Sequence, residues 1–215
     1  MSSASPSSVG PVGAVARRDL YALAARLFAT EVDAELYRQL SSENVEQLCM
    51  SAGLVFVEPE LGDLGAERAI EELAVEYCRL FIGPQPLCPP YASTTVGEAL
   101  LGGRSRSRLE EFLNLHGVAV AEEAQLASPD HVAMELSVLA HLYDELATAT
   151  EAPAGDLAPS GDAAAAAHLF LRDHVLTWMP QFLDAVERHA GRALYRSIAR
   201  LTQSLLQEER ELFSF

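Results

Sequence analysis

Glu76-Tyr77-Cys78-Arg79-Leu80-Phe81-Ile82-Gly83-Pro84-Gln85-Pro86-Leu87-Cys88-Pro89-Pro90-Tyr91-Ala92-Ser93 is the stretch whose reading decides the fold. Its first half is half apolar with helical spacing. Its second half holds Pro84, Pro86, Pro89 and Pro90. Proline has a fixed φ and no N–H to donate, so the helix cannot run on. Each residue before a proline is held extended. A stiff loop is expected, presenting Leu80, Phe81 and Tyr91 in fixed directions as apolar anchors for another chain. The alternative is a helix end packed on the core with Phe81 buried.

Working outward, the pattern stays helical. Ala66 to Ile82 repeats Ala69, Ile70, Leu73, Ala74, Tyr77, Leu80 and Phe81 at spacings of three and four. Ala14 to Phe28 carries a similar apolar face. Shorter helices are expected over Asp33 to Leu40 and Val45 to Ala52, with Gly53 ending the second. Arg104 to His116 reads as a helix stopped by Gly117. Ser128-Pro129 reads as N-cap and first helical position of a helix carrying Val132, Leu136, Leu139, Tyr143 and Leu146. Asp162 to Ala190 is a long pattern that Pro180 should kink or divide. Arg192 to Glu211 is the last helix. Leu54 to Val57 and Gly117 to Val120 are too short to build a sheet. The expectation is an all-α single domain of about eight to ten helices over residues 14–215. Residues 1–13 are expected to be a disordered tail, with a flexible loop near 150–161.

Composition narrows the function. The chain has 215 residues and is 49% hydrophobic, enough for one sizeable core. At 21% charged it is neither a disordered chain nor a membrane protein. No apolar run approaches the ~18 residues that span a bilayer. The first residues lack the basic and apolar regions of a signal peptide, and Arg17-Arg18 runs straight into Asp19, as a helix surface would. Cys49, Cys78 and Cys88 form no Cys-x-x-Cys pair, which suits a reduced, cytoplasmic compartment. The net charge of −16 is uneven: residues 31–80 carry −9 and residues 111–165 carry −10, and every base is arginine. Such a surface argues against nucleic acid and favours a cationic partner.

Catalytic signatures are missing. There is no Walker loop, no Gly-x-Gly-x-x-Gly, no Gly-x-Ser-x-Gly and no His-Glu-x-x-His. No two histidines stand four residues apart. His131 and Glu135 lie one turn apart, short of the ligand number zinc takes. Neither metal, cofactor nor enzymatic activity is expected. Asp130-His131 falls in the first turn of the helix opened by Ser128-Pro129. There the dipole favours the Asp130 carboxylate and keeps His131 neutral. The pair is either a recognition site at a helix mouth or a polar helix start.

Three segments together resemble one family. Glu76-Tyr77-x-x-Leu80-Phe81-x-Gly83-Pro84 with Pro90-Tyr91-x-Ser93 resembles the helix and proline loop of the cytoplasmic TorD/DmsD/NarJ-type redox-enzyme maturation chaperones. Pro129-Asp130-His131-Val132-Ala133-Met134-Glu135-Leu136 resembles their hinge and following helix. Phe170-x-x-x-His174-x-x-x-Trp178-x-Pro180-x-Phe182 resembles their C-terminal helix. Tyr77 stands where some members have Trp, and Ala92 where an acid is common. The resemblance implies a TorD-like fold. It implies binding to the precursor of a molybdopterin-dependent oxidoreductase, at its twin-arginine signal peptide, for cofactor insertion and export proofreading. Glu76, Tyr77, Leu80, Phe81, Pro90, Tyr91, Ser93, Asp130, His131 and Glu135 are the expected peptide-binding residues. The alternative is an assembly factor for an unexported redox subunit. No nucleic acid and no membrane insertion are expected, and the chain is expected as a monomer or homodimer.

Overall fold

A computed structural model of the chain describes residues 11–100, 103–118, 128–151 and 160–213; among these it builds eleven α-helices and no β-sheet. They are α1 (Pro11–Ala29), α2 (Ala34–Leu40), α3 (Glu43–Ser51), α4 (Pro59–Gly62), α5 (Ala66–Tyr77), α6 (Ala92–Thr95), α7 (Gly103–His116), α8 (Val132–Glu151), α9 (Ser160–Asp173), α10 (Met179–His189) and α11 (Ala193–Phe213). Two of them, α4 and α6, are single turns, so the count agrees with the all-α expectation. Residues 1–10 of the expected tail and the centre of the 150–161 loop lie outside the described residues, whereas Pro11 to Gly13, expected in the tail, already belong to α1.

The long apolar helices build the core. Helix α1 packs extensively on α8, α8 packs on α9, and α11 packs on α10 and also touches α1. A buried carboxylate ties α1, α8 and α11 together: Glu209 accepts from Arg17 Nε (2.9 Å), Tyr21 Oη (3.2 Å) and Tyr143 Oη (2.7 Å). A buried charge is tolerated when paired and hydrogen-bonded in this way.

Local chemistry sets the element ends. Asp33 caps α2 by accepting the Leu36 amide (2.8 Å). Gly53 takes a positive φ of 69° just past α3, a conformation open to glycine. The Leu54 to Val57 run forms no strand; the Val55 amide and carbonyl both bond to Ser197 Oγ (3.0 and 2.8 Å). The long pattern up to Ala190 is divided upstream of Pro180. Helix α9 ends at Asp173, Val175–Thr177 make a tight turn, and Pro180 sits in the first turn of α10. A proline there lacks an N–H that would have had no helical partner anyway.

Helix α5 ends in one wide turn over Cys78–Ile82, closed by the Gly83 amide donating to the Cys78 carbonyl (2.7 Å). A Cβ on Gly83 would stand 2.9 Å from that oxygen. The glycine before Pro84 is therefore required by close approach of backbone to backbone.

Candidate functional site

The proline loop is stapled to the start of α8. The Ala92 amide donates to the Asp130 carbonyl and the Val132 amide to the Pro90 carbonyl, both at 2.9 Å. These two bonds make an isolated antiparallel bridge between Tyr91 and His131. The same loop folds back on the wide turn, with the Cys88 amide donating to the Leu80 carbonyl (2.8 Å). Two motifs separated by almost forty residues thus meet in one joint.

Asp130 is its polar centre and is fully buried. One carboxylate oxygen accepts from the Ser93 amide (3.2 Å) and Ser93 Oγ (2.5 Å); the other accepts from Ser128 Oγ (2.6 Å). This corrects the helix-start reading. Helix α8 begins at Val132, so Ser128 is not its N-cap and Asp130 is not in its first turn. The competing interaction is the side chain of Asp130 itself, which draws in both serines. His131 takes the capping role: its Nδ1 accepts the Ala133 amide (3.1 Å). An accepting Nδ1 is unprotonated. Burial pushes the imidazole down to about 4, against the opposing pull of Asp130. The expected neutrality holds, with burial as its main cause. The Tyr91 ring meets the imidazole edge-on at 5.1 Å.

Glu135 turns from this joint into the protein. Its Oε2 accepts from Trp178 Nε1 (2.8 Å), linking α8 to the break between α9 and α10. Burial raises its carboxyl to about 8, helped by the nearby Asp130 charge; the indole bond and Arg108 pull the other way. Glu135 is therefore neutral at pH 7 and does not extend an acidic pocket.

Glu76 clamps a different junction. Its carboxylate takes a two-pronged bond from Arg79 (2.8 Å each) and accepts the Gly191 (2.5 Å) and Arg192 (3.3 Å) amides ahead of α11. Burial opposes its charge, but the Arg79 fork and the amides outweigh burial and hold it below the ordinary glutamate range.

The expectation that Leu80 and Phe81 face outward is overturned. Tyr77, Leu80 and Phe81 are buried, and Pro90 and Ser93 with them, while Tyr91 is half-buried. The helical phase of Leu73, Tyr77 and Phe81 carries through the wide turn, so these side chains stay on the core face. Phe81 meets Phe28 (5.8 Å), Tyr77 (5.1 Å), Tyr195 (5.6 Å) and Phe182 (6.2 Å), a cluster drawn from α1, α5, α10 and α11. Tyr77 Oη donates to the Phe28 carbonyl (3.0 Å). The alternative reading of Phe81 as core is the correct one. Exposed apolar surface beside the loop comes instead from Ile82 (57%) and Leu87 (44%). Sequence reasoning passed over both, although each is an apolar residue next to a Gly-Pro or Pro-x-Cys turn.

Of the third motif, Phe170, Trp178 and Phe182 are buried and His174 is half-buried against Phe170 (4.9 Å) and Phe112 (5.4 Å). Burial, aided by Arg108, lowers His174 to about 4. Among the described residues no three His, Cys, Asp or Glu side chains gather as a metal site, and no helix is long and apolar enough to cross a membrane.

Residues 41–184 match the family model described as nitrate reductase delta subunit. The chain is 28% identical to chaperone protein TorD of Shewanella pealeana, over 94% of this chain and 91% of that one. It is 29% identical to chaperone protein TorD of Shewanella sp. strain MR-4, over 91% and 93%. It is 32% identical to chaperone protein TorD of Vibrio cholerae, over 65% and 61%.

Proposed function

Because this chain belongs to the TorD/NarJ family, whose model carries the nitrate reductase delta subunit description, we propose that it is a maturation chaperone for a molybdopterin-dependent oxidoreductase. It is not an enzyme, in keeping with the chaperone name its relatives carry. The client is an enzyme precursor held in the cytoplasm at its twin-arginine signal peptide, through cofactor insertion and until export is permitted. The observation that carries this reading is the joint between the proline loop and α8. It holds the half-buried Tyr91 against the start of α8, near exposed Ile82 and Leu87, on an acidic molecule of net charge −16.

The ten motif residues divide the work. Tyr91 touches the client, together with Ile82 and Leu87. Tyr77, Leu80, Phe81, Pro90, Ser93, Asp130, His131 and Glu135 position that surface from beneath, and Glu76 ties the end of α5 to the start of α11. A twin-arginine peptide has a cationic head and an apolar stretch, which suits an acidic approach surface beside rigid apolar contacts. The test is calorimetric titration of the chain with the client's signal peptide at low and high salt. Affinity falls as salt rises, because screening removes the attraction between exposed charges. Leu87→Asp lowers affinity about tenfold. Equal affinity for the client with and without its twin-arginine segment assigns the chain to an unexported subunit instead.

A further inference from the structure

A second concave surface lies away from the proline loop, at the corner formed by α2, α3, α4 and residues 52–58. It encloses a pocket of about 630 Å³, the size of sites that hold an apolar ligand. Leu40, Cys49, Met50 and Phe56 supply apolar wall; among the described residues Glu46 and Glu58 are its charged lining residues and no arginine lines it. Met50 stands at the rim, 70% exposed. Glu43, Glu60 and Asp63 are exposed on the adjoining helices.

Glu58 is half committed. Its Oε1 accepts the Ala193 amide (2.6 Å) and stands 3.9 Å from Arg196 Nη2. Its Oε2 is buried and has no hydrogen-bond partner among the described residues. A buried carboxylate oxygen without a donor is costly, and a cation beside it relieves that cost.

We propose that this corner is a second docking site, for an apolar polypeptide segment that carries a positive charge. The apolar residues of the segment cover Met50 and fill the pocket. Its arginine or lysine joins the acidic rim and draws Glu58 Oε2 out of its unpartnered state. The choice of a polypeptide rests on the chaperone reading; the charge and apolarity of the occupant rest on the pocket. Two such surfaces on one small chain allow a client to be held at two points. Simultaneous engagement raises the overall affinity beyond that of either contact.

The probe is a synthetic peptide with one arginine followed by an alternating leucine and alanine run, paired with the same peptide bearing glutamate for arginine. Both are titrated into the full chain by calorimetry, and the contact is mapped by amide chemical shifts. The arginine peptide binds with shifts in α2 to α4, and the glutamate peptide at least tenfold more weakly. Met50→Asp, at an exposed position, lowers arginine-peptide affinity about tenfold. Glu58→Gln does the same while keeping an oxygen for the Ala193 amide, so its folding should be little changed. Leu87→Asp leaves the probe's shifts in α2 to α4 in place. Equal binding of the two peptides, indifference to Met50→Asp and Glu58→Gln, or shifts confined to the proline loop overturns the proposal. So does a parent that sediments as a dimer and becomes monomeric on Met50→Asp, since the occupant is then a second copy. The two readings fail separately. A signal peptide that binds the parent while the arginine probe does not removes only the second site. An arginine probe that binds while the signal peptide does not removes only the assignment of the client.

Discussion

Where the proline loop meets α8, Asp130, Ser93, Ser128, His131 and Glu135 are bonded to one another or to backbone and Trp178. At the α2–α4 corner a pocket stays open and Glu58 Oε2 has no hydrogen-bond partner among the described residues. The two regions use acidic residues to opposite ends. In the joint, carboxyl groups are consumed inside the protein and fix where the loop stands. At the corner, Glu46 and Glu60 are exposed to something outside, beside the buried Glu58 Oε2. The residues that look most like a recognition motif in one dimension are thus the ones least able to touch a partner. On the proposed function, they hold in place the loop that carries Tyr91 and Leu87.

The strongest way to break this contrast is to attack the joint's apolar floor. Phe81→Ala removes the ring shared by four other aromatics and should cost about 3–5 kcal/mol. Chemical denaturation measures it directly. A variant as stable as the parent would mean that Phe81 is not core and that the division between positioning and contacting residues is drawn wrongly.

Asp130→Asn comes next. The fully buried carboxylate accepts three bonds, and bonds to a charged acceptor are the stronger kind. Asparagine keeps one acceptor oxygen and places an NH2 where a serine hydroxyl now donates. A loss of about 2 kcal/mol is expected. The melting temperature should drop more than the affinity for a client peptide, as befits a positioning residue. The reverse order would restore Asp130 as a direct partner of a client arginine.

Helix content and order were legible because apolar spacing of three and four survives in every long helix, from α1 to α11. The buried state of Phe81 was half legible, since its phase with Leu73 and Tyr77 already put it on the core face. What misled was the proline loop, whose stiffness suggested outward display. The loop instead turns back and covers the helix end, through the Cys88 to Leu80 bond. The start of α8 was misread because Ser128 and Pro129 satisfy the capping pattern locally. A long-range demand, the Asp130 carboxylate recruiting Ser93 and Ser128, overrode it. Glu135 and Trp178 stand 43 residues apart, and no pattern within one helix reveals that they pair. The corner pocket was invisible for the same reason: its walls come from four elements whose mutual placement no periodicity encodes.

The joint should also have its own pH dependence. An unfolded glutamate loses its proton near pH ~4.3, whereas folded Glu135 keeps it up to about 8. The folded state therefore binds more protons between these values, and this residue makes stability fall as pH rises through that window. His131 and His174, lowered to about 4, act oppositely. Each is neutral in the fold while the unfolded side chain is still charged, so their contributions rise with pH up to ~6.5. Above that the Glu135 contribution stands without them until about pH 8, with a slope of at most ~1.4 kcal/mol per pH unit. Glu135→Gln keeps an acceptor for the Trp178 indole and removes the titration. Its unfolding free energy should be flatter than the parent's between pH 6.5 and 8, measured by following the only tryptophan. An unchanged slope would mean that Glu135 is already ionised in the fold.

The smallest effect on stability, and the sharpest on the comparison, belongs to the loop surface. Ile82 and Leu87 are exposed, so replacing them by polar residues deletes little buried apolar area. Surface substitutions of this kind usually stay within ~0.5 kcal/mol of the parent. The Leu87 amide donates to the Arg79 carbonyl (3.3 Å), a backbone bond that a new side chain leaves in place. Ile82→Ser combined with Leu87→Ser should therefore melt close to the parent, while affinity for a client signal peptide falls. Phe81→Ala and Asp130→Asn are the opposite case, with large stability losses and affinity losses that only follow them. If the serine pair melts early, Ile82 and Leu87 are part of the core packing and the exposed face of the loop is not a contact surface. If it melts normally and binds normally, the joint holds up the wrong face, and the acidic corner beside Glu58 is left as the surface a client must use.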